Sequence, residues 1–112
     1  MNIDAAKVFS TLGNPTRLRC LYLLARNEEV CVCDVVDALE VAQPSASKAL
    51  NNLKAAGLLS LRRDANWVYY RLRPDLPAWL AEVVESTASA LDAEQPHKAD
   101  QDRLAAAPRR CS

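Results

Sequence analysis

Cys31 and Cys33 stand one residue apart in "EEVCVCDVVDAL", Glu28 to Leu39. Two thiolates that close together can chelate a soft ion: Cu(I), Zn(II), Cd(II), Pb(II), or trivalent arsenic and antimony. Backbone conformation decides whether they do. A helix advances roughly 100° per residue, so residues i and i+2 point roughly 200° apart. In extended backbone they point the same way. Val32, Val35, Val36 and Leu39 recur at helical spacing, with Cys31 on one flank of that stripe and Cys33 on the other. On this reading the thiols share an ion only if the first turn of the helix is irregular or unwinds. A helix that a ligand can distort is a two-state element, which is what a switch requires. The bland alternative is two small, partly buried residues, and a lone C-x-C carries no more than that.

The remaining donors narrow the chemistry. His97 is the only histidine, so the Cys/His set of a tetrahedral zinc site is missing. Two or three thiolates suit a pyramidal trivalent metalloid better than a four-coordinate metal. Cys20 lies among leucines and reads as core. Cys111, beside Arg109 and Arg110, reads either as an unconstrained surface thiol or as a third ligand folding over the pair. No permanent cofactor is expected. A thiol enzyme is disfavoured, because the pair lacks a neighbouring base or a strand–helix redox frame.

The chain has 112 residues, half of them apolar, enough for one small domain. No apolar run reaches the length of about 18 residues that a membrane span needs. The N-terminal stretch has Asp4 and no apolar stretch of a signal peptide, so a cytoplasmic protein with reduced thiols is expected. Net charge is zero, but unevenly spread. Residues 43–73 carry six basic residues against one acid, Asp64, and the segments on either side are net acidic. A basic block in an acidic chain is the footprint of a polyanion site or a solvated face.

Ala5, Val8, Phe9 and Leu12 mark a first short helix, stopped by Gly13. Asn14 caps a second, with Pro15 at its first position. That helix is apolar on both sides and is expected in mid-core. The third helix carries the thiols. "LEVAQP" turns the chain into a fourth, where Ala46, Ala49, Leu50 and Leu53 face inward and Gly57 ends the run. From Leu58 the period becomes two, with "RRDAN" as the turn of a β-hairpin. Pro74 and Pro77 bracket the start of a last helix capped by Asp75, with a stripe from Leu80 to Leu91. After Asp92 periodicity is lost. Residues 1–92 are therefore expected as the domain and 93–112 as a flexible C-terminal tail.

This order is mainly α with a β-hairpin wing: a winged helix-turn-helix. Gln43, Ser45, Ser47, Lys48 and Asn51 lie on the outward side of the fourth helix, with chemistry suited to base edges and phosphates. Arg62, Arg63 and Asn66 sit at the hairpin tip, in reach of an adjacent groove or backbone. Each alone is as easily a solvated surface residue; their conjunction with the basic block favours double-stranded DNA. One recognition helix reads one half-site, so a homodimer is expected, formed by the first and last helices with Trp79 as an anchor.

Taken together, "NPTRLRCLYLL", "VCVCDVVDAL", "QPSASKALNNLKAAGLL", "RRDANWVYYRL" and "PAWLAEVV" resemble the ArsR/SmtB family of winged-helix metalloregulators, over residues 3 to about 92. "CVCD" is similar to the arsenic- and antimony-responsive branch. The resemblance implies a homodimeric repressor that leaves operator DNA when As(III) or Sb(III) binds Cys31 and Cys33. A thiol redox switch or a Cd(II)/Pb(II) sensor using the same pair is the alternative. The chain departs from the family pattern in four places. Val36 stands where the enterobacterial-type arsenic repressors have a third cysteine, residues 1–19 contain none, the last helix has no histidine, and Ala49 replaces a histidine often seen in the recognition helix.

Overall fold

The computed structural model describes residues 3–107. Asp4 accepts a hydrogen bond from the Lys7 amide and opens α1, Ala5–Leu12. Asn14 does the same from the Arg17 amide at 3.0 Å, and with Pro15 it starts α2, Pro15–Arg26. Cys20 to Leu24 are all buried, as a helix apolar on both sides must be to escape water. A short strand, β1 (Val30–Cys31), leads straight into α3, Val32–Leu39. α4 spans Gln43–Ala55 with Pro44 in its first turn, and Ala46, Ala49, Leu50 and Leu53 are buried as expected. Gly57 adopts φ 92°, the left-handed turn that releases the chain into the sheet.

The sheet pairs β2 (Leu59–Asp64) with β3 (Trp67–Leu72), and β3 with β1, all antiparallel in the order β1-β3-β2. Two expectations change here. The turn is Ala65–Asn66 rather than the whole of "RRDAN", because Arg62, Arg63 and Asp64 pair with Tyr69, Val68 and Trp67. Ala65 at φ 54° fits the tight two-residue connection that the twist of a hairpin favours. And β1, unexpected from the sequence, sets Val30 opposite Tyr70 and Cys31 opposite Tyr69.

α5 spans Ala78–Leu91, buries Leu80, Val84 and Ala88, and packs on α2. Its N-cap is Pro77; Asp75, expected to cap it, instead pairs with Arg73 at 3.0 Å. Where a tail was expected after residue 92, the chain forms another helix, α6 (His97–Ala106), packed against α2 and α3. Leu104 joins the core, and Asp100 is fully buried. Asp100 binds Arg19 through both oxygens at 2.8 Å and Arg103 at 2.8 Å. The same two arginines donate to the last carbonyls of α3: Arg19 to Leu39 at 3.0 Å, Arg103 to Ala38 at 2.7 Å. The orphan acceptors at a helix C-terminus are thus satisfied by guanidinium groups from both neighbouring helices.

Candidate thiol site and nucleic-acid interface

Cys31 closes β1 with extended backbone, φ −101° and ψ 169°, and is the N-cap of α3; Cys33 lies in the first turn. Only one of the two is helical, so the divergence expected of a regular helix does not apply. Their sulfurs converge, with Sγ atoms 2.6 Å apart. The helix is intact from Val32 onward, and no unwinding is needed to bring the thiols together. The cause is β1: pairing of Cys31 with Tyr69 holds it extended until the helix begins. The Asp34 carboxylate, three residues on, accepts from the Cys31 amide at 3.0 Å and completes the cap.

Cys31, Cys33 and Asp34 bring two sulfurs and a carboxylate oxygen within 4.8 Å of one another. Two soft donors outweigh one hard one, so the set favours a thiophilic ion over calcium or magnesium. Cys20 is not in this group. It is fully buried in the main core, where loss of solvation pushes its thiol up to about 12 despite the opposing effect of Arg19. It is a protonated core side chain. Cys111, Arg109 and Arg110 lie outside the described residues.

A cavity of about 380 Å³ opens beside the sulfurs. Cys31, Cys33 and Val36 form one wall; Gln43 from the start of α4 and Asn66 and Trp67 from the wing form the others. The thiol pair and the expected DNA-reading elements therefore meet at one place.

On α4, Gln43, Ser45, Lys48 and Asn51 are exposed and Ser47 is half-buried. Asn51 accepts a hydrogen bond from the Tyr70 hydroxyl at 3.2 Å, which ties α4 to the wing. Arg63 and Asn66 are exposed. Arg62 is engaged within the protein: it grips Glu29 at 2.7 Å and lies 4.4 Å above the Tyr69 ring, and the Glu29 carboxylate raises its affinity for a proton. Arg62 thus joins the wing to the segment before the thiols. Sequence reasoning missed Asn14, Thr16, Arg17 and Asn52, which line a groove with Ser45 and Lys48. Asn14 was legible only as a helix cap, and no local pattern places the α2 N-terminus beside α4.

Phe9 of α1 and Trp79 of α5 remain 53% and 41% exposed, with ring centroids 6.5 Å apart. The two rings form an exposed aromatic patch at the junction of α1 and α5.

Residues 14–60 match the family described as "Bacterial regulatory protein, arsR family". The chain is 43% identical over 83 residues to the arsenic resistance transcriptional regulator ArsR1 of Pseudomonas putida, a match covering 74% of this chain and 65% of that one. It is 42% identical over 79 residues to the arsenical resistance operon repressor of Escherichia coli, covering 70% and 68%. The chain belongs to the arsR family. Its fold agrees: the homodimeric winged helix-turn-helix DNA-binding domain Mb0332 of Mycobacterium bovis, described as a possible ArsR-family regulator, superposes with a TM-score of 0.64. That structure is 30% identical and the match covers 83% of this chain and 82% of that one. In this chain α3 and α4 form the helix-turn-helix and β2–β3 the wing. The matched stretches span about two thirds of the length of the curated relatives. Among the described residues, no helix is long and apolar enough to cross a membrane.

Proposed function

We propose that this arsR-family protein is a homodimeric transcriptional repressor that binds operator DNA and releases it when As(III) or Sb(III) is captured by Cys31 and Cys33. It works in the cytoplasm, where operator DNA and reduced thiols coexist. The observation that carries the reading is the convergent pair of sulfurs at the N-cap of the helix that precedes the recognition helix. Arsenous acid condenses with the two thiols: two As–O bonds are replaced by two As–S bonds and two waters leave, with no change of oxidation state. The remaining arsenic valence keeps a hydroxyl, so the pair suffices without a third thiolate.

In the DNA-bound state α4 lies in the major groove, with Gln43, Ser45, Ser47, Lys48 and Asn51 towards the duplex and Arg63 and Asn66 of the wing beside it. Arg62 supports the wing through Glu29 and Tyr69, and reaches DNA only by giving up that contact. Phe9 and Trp79 are the centre of the dimer surface, consistent with their exposure and with the homodimeric relative.

The test is an operator titration with and without arsenite. Cys31→Ser and Cys33→Ser each keep operator binding and lose release. If both variants dissociate from DNA at the wild-type arsenite concentration, the ligand assignment is wrong. A second reading rests on the same convergence: oxidation of the pair to a disulfide by a peroxide or disulfide oxidant. Mass spectrometry separates the two, since arsenite adds mass and oxidation removes two hydrogens. A Cd(II) or Pb(II) sensor is less favoured, because the described residues offer only two thiolates at this place.

A further inference from the structure

The thiol cavity has an unusual set of walls. Cys31, Cys33 and Val36 come from the sensing helix and its cap, but Gln43 is the first residue of the recognition helix, and Asn66 and Trp67 belong to the turn and first strand position of the wing. Three separate connections hold these walls at a fixed spacing. Cys31 pairs with Tyr69 across the sheet, Arg62 bridges from the wing to Glu29, and Tyr70 reaches Asn51 on α4. A group bound beside the sulfurs therefore shares one cavity with the elements that read DNA. We propose that the cavity is itself the coupling device, with Gln43, Asn66 and Trp67 as positioning residues through which occupancy beside the thiols is transmitted to the DNA surface. This deepens the repressor reading and rests on it for the identity of the inducer, but not for the coupling of cavity to operator.

Packed interiors respond to an inserted group by rearranging rather than by yielding smoothly. The route from sulfur to α4 here crosses one cavity, and it leaves α3 folded. The coupling is also reciprocal: whatever factor an adduct takes from operator affinity, operator takes from adduct affinity. Bound DNA that fixes Gln43 and Asn66 in place thus protects Cys33 from bulky thiol reagents.

Filling the cavity from the side away from DNA tests this without any inducer. Val36 lines it from α3 and is absent from the DNA-reading surface. In the full-length dimer, Val36→Phe is expected to weaken operator binding about tenfold in the absence of arsenite, within the usual range of allosteric coupling. Thermal unfolding checks that the variant folds, and Val36→Leu, a smaller filling, gives a smaller loss. Operator affinity within twofold of wild type in a folded Val36→Phe protein overturns the proposal.

A second measurement uses Trp79→Phe, which keeps an aromatic ring beside Phe9, is checked by sedimentation to remain a dimer and by titration to keep wild-type operator affinity, and leaves Trp67 as the only tryptophan. Arsenite is expected to shift Trp67 emission, and Cys31→Ser abolishes the shift. Adding Val36→Ala, which widens the cavity without changing a DNA-reading residue, lowers the ratio of operator affinities without and with arsenite towards one, while the Trp67 signal of arsenite binding persists. An unchanged ratio together with normal release overturns the cavity coupling and leaves the repressor standing. If wild type shows neither an emission change nor release, the inducer assignment fails, and Val36→Phe alone decides the coupling.

Discussion

Asp100 is a polar residue whose loss should cost the fold heavily. It is fully buried on α6 and bonds Arg19 through both oxygens and Arg103 through one. Asp100→Ala leaves two guanidinium groups around an apolar hole. Breaking a buried pair by removing one partner costs about 3–5 kcal/mol. Arg19 is only 19% exposed and feels this fully, whereas Arg103 at 36% regains solvent and its share is discounted. The lower end, about 3 kcal/mol, is therefore expected. A domain of this size loses about 4–8 °C of Tm per kcal/mol, so the midpoint should fall by about 12–24 °C. Circular dichroism during a thermal scan, with urea unfolding as a check on the slope, measures it. The double replacement Arg19→Met with Asp100→Leu removes both buried charges of that pair and should be less destabilised than Asp100→Ala alone. A fall below about 5 °C for Asp100→Ala would refute the view that α6 is bolted on through this ion pair, since that is about 1 kcal/mol or less.

His97 is buried with neither ring nitrogen hydrogen-bonded, and desolvation holds its pKa below the ordinary 6.5, with Asp100 opposing. The unfolded chain then binds the extra proton first, so stability should fall as pH drops below about 6.5; His97→Leu should flatten that slope in unfolding measured between pH 7 and 5, and an unchanged slope would acquit the histidine. Lys48→Ala should weaken operator binding and make its dependence on log salt shallower by about 1.8, as two lost phosphate contacts, one from each protomer of the dimer, require; an unchanged slope counts against such contacts. Trp79→Asp puts a charge in the exposed aromatic pair and should shift the protein from dimer to monomer in sedimentation, and a dimer of undiminished stability would move the interface elsewhere.

What the sequence shows and hides follows from where the burial is apolar. α2 was legible because the run from Cys20 to Leu24 is apolar on every side and is buried throughout. α4 and the hairpin were legible from their periods. α6 was not, because its buried side is Asp100 and His97 as much as Leu104, and ionic packing leaves no apolar stripe to read. β1 has two residues, too few for any alternation, yet it decides the site. Without it Cys31 reads as helical and the thiols appear to diverge; with it they meet. Arg62 and Asn51 looked like free surface donors because their partners, Glu29 and Tyr70, are distant in sequence.

The same geometry bears on how large the switch can be. Both ends of α3 are secured, one by the Asp34 cap, the other by Arg19 and Arg103 on its last carbonyls. A metalloid that broke the N-terminal cap would forfeit about 1 kcal/mol, the usual worth of one capping bond. That is about a fivefold change in an equilibrium, at the bottom of the range expected for allosteric coupling. A hundredfold release needs about 2.7 kcal/mol of differential binding, since each 1.4 kcal/mol is tenfold. Fraying the helix start cannot supply that alone. The balance has to come from contacts that only the DNA-bound arrangement makes, and the residues of the recognition helix and the wing turn that line the cavity with the sulfurs are Gln43, Asn66 and Trp67. A repressor that releases DNA a hundredfold on binding arsenite must therefore displace the recognition helix or the wing, and one that releases it only fivefold need disturb no more than the cap.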